Sequence, residues 1–148
     1  MHVYVITEIA APAERVWQAL TRTDEVRAWD GVIPFDVPDH YPEAGQHARW
    51  RSAFGPWQLM LHDRIMAVEE NRRFNSLIDI AFVHVDEKYV LTPSAEGGTT
   101  LVTDDDVRSK IPGLGWLAVR LTQANVNGSM SRLKDFCERV PPPGERRR

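Results

Sequence analysis

The pattern of apolar and polar positions divides the chain into one strand, two short helices, a long β-rich region and a final helix. His2–Ala10 is rich in β-branched residues and predicts the first strand. Pro12 suits the first turn of a helix whose apolar face includes Val16, Trp17 and Leu20. A second short helix follows from Thr23, and Gly31 is expected to end it.

Six further segments have strand character, and together with the first strand they predict a seven-stranded, mostly sequential antiparallel sheet. Gly97-Gly98 between two alternating runs is typical of a hairpin, and a weak break is expected near His84. The predicted strands are Val32–Val37, His47–Phe54, Trp57–Glu69, Arg73–Val83, Val85–Pro93 and Thr99–Ser109.

The segment Pro112–Val140 has helical spacing of its apolar residues, with a stripe that includes Val126, Met130, Leu133 and Cys137. This order of elements predicts an α+β fold in which a curved antiparallel sheet wraps around one long C-terminal helix. Such an arrangement leaves a hollow between sheet and helix, and hollows lined by apolar groups bind small molecules.

Period-two alternation in the strands, together with the helix positions, assigns a set of side chains to this hollow. The expected ligand-binding residues are Trp50, Phe54, Trp57, Leu59, Leu61, Asp63, Phe82, Tyr89, Thr103, Trp116, Arg120 and Gln123.

Three acids, Asp63, Glu87 and Asp105, fall on the predicted inner face. Burial in an apolar cavity would raise the pKa of such a carboxyl and suit it to general acid or base chemistry. The candidate catalytic residues are therefore Asp105, Glu87 and His84, and Arg120 could neutralise one of the acids. The alternative for Asp105 is a strand-edge or salt-bridged position within an acidic run.

Composition limits the class of protein. The 148 residues suit one domain, predicted over residues 1–140, with a disordered basic tail over 141–148. The formal net charge of −3 does not favour a nucleic-acid partner, and no apolar run could span a membrane. The sequence contains no zinc, dinucleotide or serine-hydrolase motif, so neither metal nor cofactor is expected. The N-terminus lacks a signal-peptide pattern, which favours a cytoplasmic protein.

The segments Ile9–Thr21 and Val26–Trp29 resemble the opening of the START-related SRPBCC superfamily, which includes polyketide cyclase/dehydrase-like proteins. The segment Ser129–Glu138 resembles that superfamily's closing helix. The resemblance implies the helix-grip fold, with two short helices closing the bowl. Members bind lipids, polyketides, sterols or plant hormones, and they share no single set of catalytic residues.

The sequence therefore predicts binding, transport or sequestration of a hydrophobic small molecule, such as an aromatic polyketide or a lipid. Two alternatives remain open at this point. One is a cyclase or dehydratase that uses the cavity acids, and the other is a co-chaperone-like interaction module. A homodimer is compatible with the sequence, whereas ligand identity and pathway do not follow from it.

Overall fold

In the part of the chain that the structure describes, a seven-stranded antiparallel sheet packs with three α-helices, which confirms the predicted helix-grip class. The computed structural model describes residues 1–54 and 56–144. The strands lie in the order β1-β7-β6-β5-β4-β3-β2. In chain order the elements are β1 His2–Ile9, α1 Ala13–Thr21, α2 Thr23–Asp30, β2 Ile33–Asp36, β3 His47–Phe54, β4 Trp57–Glu69, β5 Arg73–Ile80, β6 Val83–Pro93, β7 Thr99–Ser109 and α3 Gly115–Arg139.

Local sequence explains where the two short helices begin and end. Pro12 stands immediately before α1, where its missing N–H costs nothing because the first helical N–H groups have no partner within the helix. Gly31 ends α2 in the left-handed conformation, with φ 78°, which a residue without a Cβ adopts readily. Arg15 of α1 and Glu25 of α2 form a buried ion pair, with Nη1 and Oε1 2.9 Å apart. This ion pair joins the two helices to each other.

The long helix α3 covers only part of the sheet. Its contacts are mainly with β1, β7, α1 and α2. The buried positions on its inner face follow helical spacing: Ala118, Val126, Ser129, Met130, Leu133 and Cys137. The concave face of β4, β5 and β6 therefore lies beside the helix rather than directly beneath it, and this placement determines where a ligand has room. None of the helices in the described ranges has the length and apolar character needed to cross a membrane.

The largest departure from the predicted strands occurs between β5 and β6. The turn consists of Ala81 and Phe82, and Ile80 pairs with Val83, so the break precedes the one expected near His84. Ala81 adopts a positive φ of 50° without a glycine to signal it. The terminal arginines belong to residues 145–148, which lie outside the described part, so the disordered tail stays a prediction.

Candidate functional site

Polar side chains meet at the centre of the concave face, on three neighbouring strands. Strand register places Asp105 of β7 directly opposite Glu87 of β6, and Glu87 directly opposite Ser76 of β5. Side chains opposite each other in an antiparallel pair have Cβ atoms about 4.5–5.5 Å apart. The row is surrounded by apolar neighbours, because Val85 and Val107 are buried on the same face. A pair of carboxyl groups thus lies within the core region.

A third carboxyl joins this pair from β4. Asp63 is 6% exposed, and its Oδ2 accepts a hydrogen bond of 2.8 Å from the hydroxyl of Tyr41. Tyr41 lies in the loop between β2 and β3, where its ring contacts Trp50 and Phe74 edge-on, with ring centroids 5.8 and 6.4 Å apart. The loop is therefore held against the open side of the sheet by both aromatic contacts and a polar contact.

Asp30, the last residue of α2, is the fourth acid that faces this region. Its Oδ1 accepts a hydrogen bond of 3.1 Å from the Ser129 hydroxyl, and Arg132 Nη2 lies 3.5 Å away. Both partners belong to α3, so Asp30 links the two helices at the edge of the sheet.

Burial raises the pKa of all four carboxyls. The pKa of Glu87 is raised well above its usual value by desolvation, and the charges of Asp105 and Asp63 add to the effect. Desolvation, followed by the charges of Asp104 and Asp86, raises the pKa of Asp105 to about 7.

Desolvation also raises the pKa values of Asp63 and Asp30, although hydrogen bonds to each carboxylate oppose the shift. The hydroxyl groups of Tyr41 and Tyr89 have pKa values well above their usual value, because burial and the nearby acids disfavour a phenolate. The region therefore holds its protons at pH values where exposed carboxyls have lost theirs.

Several of these polar atoms have no protein partner. Neither carboxylate oxygen of Asp105 forms a hydrogen bond, although the residue is only 1% exposed, and Asp63 Oδ1 is also unpaired. Within residues 1–54 and 56–144, no Lys, Arg or His side chain forms an ion pair with Asp63, Glu87 or Asp105. Buried polar groups are normally paired, so an unpaired carboxyl marks a site that calls for an explanation.

The concave face in front of these acids is only partly covered. Five side chains in the middle of the concave face keep accessible surface even though neighbouring strands flank them on both sides; they are Leu61, Ile78, Ile80, Glu87 and Tyr89. Their exposure follows from the position of α3, which packs over β1 and β7 instead. We use "the hollow" for the space that these five side chains border.

The sequence-predicted ligand residues are distributed between this region and the surface. Leu61, Asp63 and Tyr89 belong to the hollow or its wall, and Leu59 is half-buried. Trp50 is 3% exposed, and Thr103 is fully buried with its hydroxyl donating to Met130 Sδ at 3.3 Å. The side chain of Phe54 lies outside the described part.

Trp57 and Trp116 differ from the expectation of an enclosed aromatic wall. Trp57 pairs with Phe54 at the tip of the β3–β4 hairpin and is 65% exposed. Trp116 lies in the first turn of α3 and is 58% exposed. Trp57 has the predicted inner phase of β4 but lies at the hairpin tip, whereas Trp116 lies about 200° around α3 from buried Ala118.

Four other predicted site residues lie elsewhere than expected. Phe82 lies in the β5–β6 turn, half-buried against the core, rather than in a strand. His84 is on the outer face of β6, because it alternates with Val85 and Glu87, and its Nδ1 lies 3.1 Å from Asp79 Oδ1. It cannot act together with the inner acids. Arg120 is exposed and does not neutralise them, and Gln123 donates to Asn127 on the same helix.

Three site residues were missed from the sequence: Tyr41, Ser76 and Asp30. Ser76 has the same strand phase as Ile78 and Ile80, so period two could have found it. Tyr41 is an aromatic residue within a loop rich in Pro and Gly, which is the one available signal. No sequence signal marks Asp30, because its position depends on how α2 packs against α3.

The outer face of the sheet contains a groove of about 540 Å³ with a different character. It contains two ion pairs: Arg49 bonds to Asp36 at 2.9 Å, and Lys110 bonds to Asp79 at 2.8 Å. The groove is therefore a charged outer surface, and Glu87 and Asp105 lie on the opposite face of the sheet.

The comparisons with known proteins agree with this geometry. Residues 1–138 match the family described as "Polyketide cyclase / dehydrase and lipid transport", and the chain belongs to that family within the SRPBCC superfamily. A search of curated proteins found no match.

Among solved structures, the chain is similar to DynU16, a protein of the dynemicin biosynthetic locus. The two are 25% identical with a TM-score of 0.71 over 95% of this chain, which spans about half (48%) of DynU16. A START superfamily protein from Mycobacterium smegmatis is 17% identical with a TM-score of 0.78, covering 95% of this chain and 99% of that one. Ara h 8.0201 is 12% identical with a TM-score of 0.76, covering 93% and 97%. The last two likenesses concern the fold alone.

Proposed function

We propose that this protein binds a hydrophobic small molecule in the hollow between the sheet and α3. The observation that carries the proposal is the accessible surface of Leu61, Ile78, Ile80 and Tyr89 in the middle of the concave face. Apolar side chains in that position are usually covered by a packed helix, and uncovered apolar surface favours an apolar occupant. The family description and the DynU16 likeness support a ligand of polyketide or lipid type.

A neutral hydrophobic dye, Nile red, tests this proposal. We expect binding with a Kd on the order of micromolar, or about −8 kcal/mol. The variant Ile78→Trp fills the hollow from β5 and should abolish binding while the protein stays folded by circular dichroism. Leu77→Trp is the matched control, because it makes a comparable change one residue away on the opposite face.

The two variants separate the outcomes. Equal dye affinity in wild type and Ile78→Trp would place the dye elsewhere and contradict the proposal. Severe destabilisation of Ile78→Trp would indicate that the space is already filled, since overpacking a closed core costs about 1–3 kcal/mol.

An enzyme is the second candidate, because Glu87 and Asp105 lie opposite each other with raised pKa values. A protonated acid could donate to a carbonyl oxygen while a neighbouring carboxylate removes a proton from carbon, as an intramolecular aldol condensation requires. The overall reaction forms one carbon–carbon bond and releases one water from an acyclic diketone.

Formation of the cyclic enone from a simple acyclic diketone can be followed by ultraviolet absorbance. If the protein is an enzyme, it should accelerate enone formation, and both Asp105→Asn and Glu87→Gln should remove this acceleration. If the wild-type rate equals the buffer rate while Nile red binds, this diketone gives no support for catalysis and the binding function alone remains proposed.

A further inference from the structure

We propose that the ligand carries a basic nitrogen, and that its ammonium group contacts Glu87 with Asp63 and Asp105 close by while its apolar part fills the hollow. The inference rests on the proposed function, because it names the chemistry of the molecule that the hollow binds.

The first argument is the absence of a protein cation beside these acids. Among the described residues, Arg132 forms an ion pair with Asp30 at the α2–α3 edge and with none of these three acids. Arg15, which is buried, already pairs with Glu25 between α1 and α2. Buried carboxylates are normally paired, so a cationic ligand would complete an arrangement that the chain leaves open.

The second argument is the unpaired state of Asp105. This carboxyl is 1% exposed, lies on the concave face opposite Glu87, and has no hydrogen-bond partner on either oxygen. A neutral carbonyl ligand could accept one proton from Glu87 but would leave the Asp105 carboxyl without a partner. An ammonium group acts on both acids, because electrostatic attraction extends beyond hydrogen-bond distance in a poorly solvated region.

The pH dependence of this arrangement follows from all the groups that face it. These groups come from several elements around the site: Asp63 of β4, Glu87 and Tyr89 of β6, Asp105 of β7, Tyr41 of the β2–β3 loop and Asp30 of α2. Arg132 of α3 lies beside Asp30. Asp104 and Asp86 act on Asp105 from the outer face. Since burial raises the pKa values of the inner acids, which favours their protonated forms in the empty protein, binding a cation should release protons, and affinity should rise with pH.

Three probes of matched size test the inference: naphthylmethylamine, naphthylmethanol and naphthoic acid, each competing with Nile red. At about pH 8 the amine should bind at least about tenfold more tightly than the alcohol, and the acid should bind least tightly. The preference for the amine should weaken toward pH 5, because the raised pKa values favour protonation of the inner carboxyls there. Calorimetry in two buffers of different ionisation enthalpy should detect proton release with the amine and none with the alcohol.

Isosteric variants show whether the inner acids cause the preference. Asp105→Asn and Glu87→Gln should each reduce it severalfold, whereas Asp104→Asn, one residue away on the outer face, should keep it. If one inner variant fails to fold, the other alone shows whether the inner acids cause the preference for the amine. Equal affinity for amine and alcohol, or a preference that survives both inner variants, would overturn the inference and leave the proposed function standing. Failure of Nile red and all three probes to bind would instead overturn the proposed function.

Discussion

Replacing Asp105 with asparagine should stabilise the protein, and increasingly so as the pH rises. Asp105 is 1% exposed, and its pKa is raised from 3.8 to about 7. The unfolded chain therefore loses this proton before the folded protein does. Between these pKa values the folded state binds more protons, so raising the pH through this window reduces stability. Asparagine has a similar shape and no charge to bury.

The magnitude follows from the shift. About three pKa units at about 1.36 kcal/mol each give roughly 4 kcal/mol of lost stability above the folded-state pKa. At about pH 5 less than half of this stability has been lost, because the unfolded carboxyl is mostly ionised there while the folded one is protonated. The advantage of Asp105→Asn over wild type should therefore grow by roughly 2–3 kcal/mol between pH 5 and pH 8.5.

Urea unfolding of both proteins at the two pH values measures this difference. The control is Asp36→Asn, which removes an exposed carboxyl that bonds to Arg49 on the outer face. Its effect should stay within about 1 kcal/mol, the range of surface ion pairs. A constant difference between Asp105→Asn and wild type at the two pH values would refute the reasoning, because it would mean that Asp105 titrates alike in both states.

Three further predictions concern other groups. Glu25→Gln should cost about 3 kcal/mol of unfolding free energy by urea titration, because it leaves Arg15 buried without a counter-charge; a loss below about 1 kcal/mol would contradict a desolvated pair. Tyr41→Phe removes the hydrogen bond to Asp63 Oδ2, so NMR titration should show a higher Asp63 pKa than in wild type, and an unchanged value would disprove the contact. Burial raises the pKa of Cys137 to about 12, so its thiol should react with a disulfide reagent at neutral pH only after denaturation; rapid labelling of the folded protein would count against its position.

Much of the fold could be predicted because its signals are local. The bounds of β3, β4 and β7 match the predicted segments, since turn residues flank alternating runs. Alternation also assigned Asp63, Glu87 and Asp105 to one face, and in the structure they lie on the concave side. The β5–β6 turn was misplaced because Ala81 adopts a positive φ without the glycine or asparagine that usually marks such a turn.

The remainder of the site depends on packing between distant segments. Strand phase gives the face on which Trp57 lies, but it does not say that the hairpin tip extends beyond the other elements. The contact between Tyr41 and Asp63 joins a loop to a strand, and the position of Asp30 depends on the docking of α2 against α3. No periodicity reports such tertiary relations.

Methyl NMR spectra recorded during a Nile red titration test the central claim most directly. The largest shifts should occur at the methyl groups of Leu61, Ile78 and Ile80, which border the hollow. Ile6, exposed on the outer face of β1, provides an internal reference that should not move. Shifts confined to Ile6 and its outer-face neighbours, with the methyl groups of the hollow unchanged at saturation, would contradict ligand binding between the sheet and α3.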